Sequence, residues 1–230
     1  MQNPLKLILA LLLIIPINLY AQEIINNTEN NAGSTEALQQ PAFSDLITAA
    51  ELVAIAQLND TRYEYLRGFP NKGVAWMRPI IKYKSERAID IFTVYDEGIK
   101  GSHCYFPDTA RWQEGNRFLV FLKHEEFIRY RGLTPVCYLP VSVNTENQYV
   151  LRLPIDNVDL PDELLQQAQT YQFTDSGSRI DATELLREEK ARLIADSQMK
   201  DEGDTLVYTR GIPISAVRAY IRKIISDQNP

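Results

Sequence analysis

The sequence predicts a mainly β fold with C-terminal helices, an α+β class whose centre is a five-stranded Greek-key barrel. Between residues 52 and 153, short apolar runs alternate with turns rich in Gly, Pro, Asn and Asp. This alternation is typical of successive strands. After residue 156 the apolar residues recur at helical spacing instead. Strands followed by helices favour a small barrel that carries a helical extension.

The first residues have the three-part pattern of a secretory signal peptide. Lys6 precedes an apolar run over residues 7–15, Pro16 breaks the run, and Ala21 offers a small residue for cleavage. A membrane-spanning helix needs about 20 apolar residues, so a retained anchor is the weaker interpretation. We therefore predict a signal peptide over residues 1–21 and export to a periplasmic or extracellular compartment.

Three further regions follow the leader. Residues 22–43 are rich in Asn, Gln and Glu and have too little apolar content to offset the entropy of ordering them. We interpret them as a flexible spacer. The barrel is expected over residues 44–155, and a helical C-terminal extension packed on the barrel is expected over residues 156–230.

Five main strands are expected in the barrel region. Ser44 and Asp45 can cap a short helix that leads into the first strand, which runs towards Tyr65. Pro79 cannot donate a ladder hydrogen bond, so the second strand should lie at a sheet edge or contain a bulge. The other strands are expected at residues 74–83, 88–96, 117–122 and 148–153, with a further pairing segment at 134–143.

Three helices are expected in the C-terminal extension. The first follows Pro161, and the second begins at Asp181, which forms a capping-box pattern with Glu184. A short strand is expected at residues 205–209. The third helix should dock on the core through residues at helical spacing, namely Val217, Tyr220, Ile221, Ile224 and Ile225.

The net charge limits the classes of partner. The chain has a formal charge of −6, and the leader carries one cation and no acid, so the exported form would have −7. Nucleic-acid binding draws on clustered Lys and Arg, so nucleic acid is not expected as a partner. Anionic membrane surfaces are disfavoured for the same reason, and no stable membrane anchor is expected after removal of the leader.

The two cysteines, Cys104 and Cys137, most simply form one disulfide in an oxidising compartment. Such a bond is worth about 3 to 4 kcal/mol in the chain-entropy model. The alternative is a free nucleophilic thiol at Cys104 with His124 as its base. The available disulfide partner favours the first interpretation.

No other catalytic or cofactor-binding pattern is present in the sequence. The cysteines and the two histidines lack the tight paired spacings of structural zinc sites, and Gly-rich phosphate loops are absent. Acidic pairs such as Glu125 and Glu126 do not match a calcium loop and are interpreted as a solvated surface. We therefore expect no cofactor, no metal and no catalytic residue.

Aromatic residues of the barrel region are the remaining candidates for a binding site. Aromatic rings on the strands of a small barrel can stack on sugars or peptides, whereas the alternative role is packing in the core and at its rim. Tyr95 is one of these aromatic residues. We take five others as the possible binding surface: Tyr63, Tyr65, Trp76, Tyr83 and Trp112.

One ordered set of residues has a specific similarity. Val94, Glu97, Lys100 with Gly101, Cys104 and the run 115–122 follow one another. This order resembles the OB-fold module shared by netrin C-terminal domains and tissue inhibitors of metalloproteinases, and it is similar to small exported bacterial proteins of that shape. The resemblance covers about residues 52–153 and implies an OB-like barrel whose interior is filled by residues 118–122.

The resemblance does not extend to metalloproteinase inhibition. Those inhibitors place a cysteine at the mature N-terminus, whereas this chain would begin at Gln22. The expected function is a non-enzymatic, exported binding module for a protein or cell-envelope partner. The alternatives are a cysteine-dependent hydrolase or thiol enzyme using Cys104 and His124, and an envelope protein held by its uncleaved leader.

Overall fold

The computed structural model describes residues 40–67, 69–96, 104–106 and 116–228, all of which belong to one compact unit, Gln40–Pro230. The predicted leader and nearly all of the predicted spacer lie outside the described residues. So do Trp112, His103 and four residues of the motif: Glu97, Lys100, Gly101 and Gly115.

The spacer prediction extended too far at its C-terminal end. Phe43, the last residue of that prediction, is fully buried and begins helix α1 (Phe43–Ala49). Its ring meets that of Phe121 edge-on at 5.8 Å and stacks on Tyr220 at 5.7 Å. One large aromatic side chain therefore brings the end of a polar segment into the core.

Five strands form a closed barrel, which confirms the predicted fold class. They are β1 (Leu52–Leu66), β2 (Phe69–Lys84), β3 (Phe92–Asp96), β4 (Arg117–Glu126) and β5 (Arg129–Gly132). The order around the barrel is β1-β2-β3-β5-β4, and pairing of β1 with β4 closes it. The pairing of β3 with β5 is parallel and the other pairings are antiparallel.

The second strand contains the bulge predicted from Pro79. Ile55 pairs with Ile81 and the next residue, Ala56, pairs with Pro79, so the register shifts by one residue at Ile80. The extra residue accommodates a proline that has no N–H to donate.

The prediction of the fifth barrel strand was wrong, because β5, between β3 and β4, is the fifth strand of the barrel. The segment predicted at 148–153 forms β7 (Tyr149–Arg152), which pairs with β6 (Tyr138–Val143) outside the barrel. Strand β6 pairs in turn with β4. The hydrophobic pattern does not reveal β5 because Tyr130 is its only large apolar residue and arginines flank it.

The region after residue 156 contains strands as well as helices, so its description as helical was incomplete. Its helices are α2 (Asp162–Leu165), α3 (Arg187–Ala195) and α4 (Ile214–Gln228), with 3-10 turns at Ser176–Ser178 and Ala182–Glu184. Its strands are β8 (Gln169–Thr170), β9 (Arg179–Asp181), β10 (Met199–Asp201), β11 (Thr205–Tyr208) and β12 (Arg210–Pro213). Strand β12 joins the main sheet between β7 and β8, whereas β10, β11 and β9 form a separate sheet.

The start of β1, residues 52–56, and the middle of β4, residues 119–122, are buried on both faces. Alternate residues of β1, such as Ala54 and Ala56, point into the barrel with Val120 and Leu122 of β4. The residues between them, Val53 and Ile55 of β1 with Leu119 and Phe121 of β4, belong to a second core. Only half of the run 118–122 therefore fills the barrel interior, because successive side chains of a strand point to opposite faces.

The second core, which we call the helix layer, lies between the sheet and helices α1, α2 and α4. Val217 and Ile221 of α4 are fully buried in it, as the helical spacing predicted. Lys84 at the end of β2 donates to the carbonyls of Ile47 and Thr48, each at 3.0 Å. These carbonyls are at the C-terminal end of α1, so the lysine satisfies acceptors that the helix leaves open.

The predicted disulfide between Cys104 and Cys137 is confirmed. The two Cα atoms are 5.5 Å apart and both side chains are buried at the barrel interior. Phe106, two residues after Cys104, stacks on Tyr138 at 4.6 Å. A Cβ atom at Gly132 would lie 2.4 Å from the Sγ atom of Cys104, so this close approach of β5 requires glycine.

Candidate functional site

The side of β2 and β3 that points away from the barrel interior carries a small aromatic surface. Val74 and Trp76 of β2 lie opposite Tyr95 and Thr93 of β3, respectively. All four side chains are half-buried, whereas the residues between them, such as Ala75 and Val94, are fully buried in the barrel. We call the surface formed by Val74, Trp76, Thr93 and Tyr95 the outer face.

An arginine lies over each large ring of the outer face. The guanidinium of Arg62 on β1 is 5.9 Å from the centre of the Trp76 ring. The guanidinium of Arg129 on β5 is 4.2 Å from the centre of the Tyr95 ring. Cation–π contacts of this length are attractive. Arg129 also pairs with Glu125 at 2.9 Å, so its orientation is fixed by a ring and a carboxylate together.

An open groove of about 420 Å³ adjoins the outer face at Tyr95. Helix α1, with Asp45, forms one side of the groove, and Tyr95, Lys123 and Arg131 line the other. Lys123 and Arg131 are directly opposite each other in the β4–β5 ladder, so both point to the same face. The groove therefore presents two cations, an aromatic ring and the carboxylate of Asp45 to a ligand that lies across α1 and β5. Arg131 also pairs with Glu125 at 3.6 Å.

The five residues of the predicted aromatic surface do not share one face. Trp76 lies on the outer face and Tyr65 near the end of the β1–β2 hairpin, whereas Trp112 is outside the described residues. Tyr83 packs against the helix layer. Tyr63 points the other way, with its ring 4.8 Å from that of Tyr105. Whether any of these residues binds a ligand remains a prediction.

Tyr63 has a structural hydrogen bond. Its hydroxyl oxygen accepts a bond from the backbone N–H of Phe106 at 3.1 Å, and burial raises the pKa of the phenol. Gly73 on β2 lies so close that a Cβ atom there would be 2.2 Å from the Tyr63 ring. Tyr63 thus fixes the segment after Cys104 against the hairpin.

Sequence reasoning missed the arginines of this site. Arg62 is remote in sequence from Arg129 and Arg131, and the three residues match no motif. The one usable signal is the alternation Arg129, Tyr130, Arg131, in which a buried tyrosine separates two outward cations. That signal becomes informative only once the segment is known to be a strand.

The predicted nucleophile pair has no support in this geometry. Cys104 is fully buried and bonded to Cys137, so it carries no thiolate in this state. The ring of His124 lies edge-on to Tyr130 at 5.3 Å, and its Nε2 atom is 3.1 Å from the carbonyl oxygen of Phe127. These contacts give His124, near the end of β4, a structural role beside the turn between β4 and β5.

A buried polar cluster connects β6 and β7 to the segment that follows Phe173. Asp175 accepts hydrogen bonds from the backbone N–H of Val143 at 2.7 Å and from the Ser142 hydroxyl at 3.4 Å. Arg152 donates to the carbonyl of Gly177 and lies 4.2 Å from the centre of the Tyr208 ring. Burial lowers the pKa of Arg152. These contacts hold the C-terminal region onto the sheet, and we assign the cluster a structural role.

Within the part of the chain that the structure describes, no group of three or more His, Cys, Asp or Glu side chains is placed to hold a metal ion. No helix of the described residues is long and apolar enough to cross a membrane.

Comparison of the chain with protein-family models, with curated proteins and with solved structures found no match. The class of protein is therefore defined by the fold alone. A closed five-stranded barrel that contains a disulfide is consistent with an OB-like module. A disulfide is also typical of proteins that fold in an oxidising compartment.

Proposed function

We propose that this protein is an exported, non-enzymatic OB-like module that binds a protein or cell-envelope partner through its outer face. The motif residues that resemble netrin C-terminal domains and tissue inhibitors of metalloproteinases support this, together with the barrel and its disulfide at Cys104. We place the chain near that superfamily as part of the proposal. Export to the periplasm or outside the cell belongs to the same proposal, on the grounds of the leader pattern and the disulfide.

The observation that carries the proposal is the pair of arginine-capped rings. Trp76 and Tyr95 lie on adjacent strands, with Arg62 and Arg129 over them. Trp, Tyr and Arg are the residue types that most often dominate binding energy at protein interfaces. Because ladder hydrogen bonds fix β1, β2, β3 and β5, these side chains lose little backbone freedom when a partner binds.

The groove beside Tyr95 extends the proposed surface. Arg131 pairs with Glu125 through its Nε atom at 3.6 Å, and its terminal nitrogens are the donors that a carboxylate or another planar anionic group would contact. Lys123 beside it adds a point charge. A partner that presents an aromatic or sugar ring next to an anionic group would contact both parts of the surface. This combination occurs in peptides and in envelope polysaccharides.

The experiment is site-specific photo-crosslinking in the native compartment. A photoreactive amino acid replaces Arg78, an exposed residue two positions after Trp76 and on the same side of β2. The control replaces Leu186, which is 75% exposed at the start of α3. We expect a discrete crosslinked product from position 78 and not from position 186.

A double substitution, Trp76→Ala with Arg129→Ala, completes the test. Both side chains lie outside the barrel core, so the thermal unfolding of the variant checks that the barrel persists. Loss of the crosslink in this variant supports the outer face as the binding surface. The same product from position 186, or an undiminished product in the double variant, would contradict the proposal.

A further inference from the structure

The β1–β2 hairpin continues beyond the barrel and ends in exposed apolar residues. Gly73 is the first residue of β2 that pairs with β3. Among the described residues, no third strand pairs with residues 69–72, which precede it in β2. At a rise of about 3.3 Å per residue, the four residues 69–72 extend about 13 Å past the barrel. Leu66 and Phe69 lie opposite each other at this end and are each 63% exposed.

The charges at this end of the hairpin differ from those of the whole chain. Between residues 65 and 72 there are two cations, Arg67 and Lys72, and no acid. Glu64 lies directly opposite Lys72 and pairs with it at 3.3 Å, so Arg67 supplies the net positive charge of this end. Leu66, Arg67, Phe69 and Lys72 define what we call the hairpin tip, which combines apolar side chains with positive charge on an acidic protein.

We propose that the hairpin tip is a membrane-surface contact that inserts into the headgroup region of an anionic phospholipid bilayer. Interfacial elements bury apolar side chains about 5 to 10 Å into the boundary between headgroups and acyl chains, with Lys or Arg beside them. A tip that extends about 13 Å reaches this depth while the barrel stays in water. The contact is peripheral and reversible, and it is additional to the function proposed for the outer face.

Screening decides between the attraction of the tip and the repulsion of the acidic body. The Debye length is about 8 Å at physiological ionic strength. With the tip inserted by about 5 Å, about 8 Å of its length of about 13 Å would separate the barrel from the membrane surface. Screening therefore weakens the repulsion between that surface and the net charge of −6. Arg67 is the cation nearest the surface, and the Glu64–Lys72 pair adds no net charge.

A bilayer fits the shape of the tip better than a protein groove does. The tip is convex and only two strands wide, about 5 Å between strand axes. Leu66 and Phe69 point to one side of it, as a directly opposed pair. Such a wedge can enter a fluid interface without a preformed cavity, whereas a protein partner would need a matching apolar slot.

The test is co-sedimentation with vesicles of equal parts phosphatidylglycerol and phosphatidylcholine, compared with vesicles of phosphatidylcholine alone. The protein is used as the compact unit Gln40–Pro230, which contains every described core cluster and excludes the apolar run of residues 7–15. We expect binding to the anionic vesicles, with weak binding to the neutral ones. High salt should reduce binding, because the Debye length shortens to about 3 Å at 1 M.

Three variants separate the contributions of the apolar and the charged side chains to vesicle binding. Leu66→Ser with Phe69→Ser should weaken binding to anionic vesicles by roughly tenfold or more, since two exposed apolar side chains are lost. Arg67→Gln with Lys72→Gln should remove the preference for anionic over neutral vesicles. The matched control is Phe127→Ser, at a turn whose phenylalanine is 88% exposed but follows Glu125 and Glu126. It should leave binding unchanged.

Several outcomes would overturn the proposal. The first is that the parent protein does not bind anionic vesicles. The second is that Phe127→Ser weakens binding as much as Leu66→Ser with Phe69→Ser does. The third is that Leu66→Ser with Phe69→Ser binds as tightly as the parent protein. If that pair of substitutions instead removed the crosslink from position 78 without affecting vesicles, the tip would belong to a protein interface. If only the crosslinking experiment on the outer face failed, the vesicle result would still support the membrane contact, because the two tests alter different residues.

Discussion

At the residue scale, Tyr83 illustrates how burial alone changes the chemistry of a side chain. Its ring packs against the helix layer, and its buried hydroxyl has no hydrogen-bond partner among the described residues. Burial raises the pKa of this phenol to about 12, although Arg218 and Arg222 act in the opposite direction. The raised pKa shows that the folded state favours the neutral phenol.

The substitution Tyr83→Phe should therefore affect stability at alkaline pH more than at neutral pH. An unfolded tyrosine ionises near pH 10, whereas folded Tyr83 keeps its proton to about pH 12. Its contribution to the free energy of unfolding is complete below about pH 10 and is lost as the pH rises towards 12. Tyr83→Phe should change the free energy of unfolding at neutral pH by less than about 1 kcal/mol and should lose less stability across that alkaline interval.

Urea unfolding at neutral pH and at several alkaline pH values measures both effects. Other buried tyrosines, including Tyr63 and Tyr138, also have raised pKa values, so the difference between the parent protein and the variant is the informative quantity. Equal alkaline losses in the two proteins would contradict the assigned environment of Tyr83.

At the element scale, α4 is the helix most firmly tied to the core. Val217 and Ile221 are fully buried between α4 and the sheet, and Tyr220 stacks on Phe43 of α1. The sequence predicted this helix because five apolar residues recur on one face of it. The position of α4 against β7 and β12 could not be predicted, since it depends on strand pairings of only two or three residues.

Shortening Ile221 tests the packing of α4. Ile221→Ala should lower the free energy of unfolding by about 2 to 5 kcal/mol, because a large side chain is removed from a closely packed core. Ile194→Ala on α3 is the matched control. Ile194 is 36% exposed, so its substitution should cost less than about 1 kcal/mol. Similar losses in the two variants, measured by chemical denaturation, would show that α4 does not pack as described.

The length and composition of each strand or helix determined whether the sequence predicted it. Strands β1 to β4 contain long apolar runs or alternations, and their approximate positions were correct. Strand β5 was missed because its outward residues are arginines. Asp181 does accept a hydrogen bond from the Thr183 N–H at 2.8 Å. It caps a 3-10 turn, and α3 begins only at Arg187.

At the scale of the whole molecule, the barrel and the C-terminal region share one hydrophobic core. The helix layer contains residues of β1, β4, β6 and β7 together with residues of β12 and α4. Strand β4 connects the two parts directly, because it pairs with β1 and β5 in the barrel and with β6 outside it. The barrel interior is a separate cluster, but the outward side chains of β1 and β4, such as Ile55 and Phe121, are buried in the helix layer.

Removing the C-terminal region should therefore unfold the barrel as well. A chain of residues 40–155 would expose Phe121, Leu139 and Leu151, which the helix layer buries completely or nearly so. We expect the unit Gln40–Pro230 to unfold in one cooperative thermal transition and the shortened chain to show none, by circular dichroism. A cooperative transition in residues 40–155 would establish the barrel as an independent domain.

The candidate site illustrates the limit of sequence reasoning at this scale. The aromatic residues could be identified from their types and positions, and Trp76 does lie on the outer face. The β1–β2 register decides which of them share a face, and it shifts at four places. Each shift reverses the faces of all following residues on one strand. The sequence alone therefore could not show to which face the side chains of Tyr63 and Tyr65 point.

The burial of both faces at the start of β1 also determines where related proteins can carry insertions and deletions. Deleting one residue within 52–57 would exchange Ala54 and Ala56 for Val53 and Ile55 inside the barrel. Larger side chains would then crowd the barrel while alanines left gaps beneath the helices. In contrast, within the described part of the chain, residues 64–66 pair only with residues 69–72. In related proteins we therefore expect insertions and deletions to occur at the end of this hairpin and to be absent from the first six residues of β1.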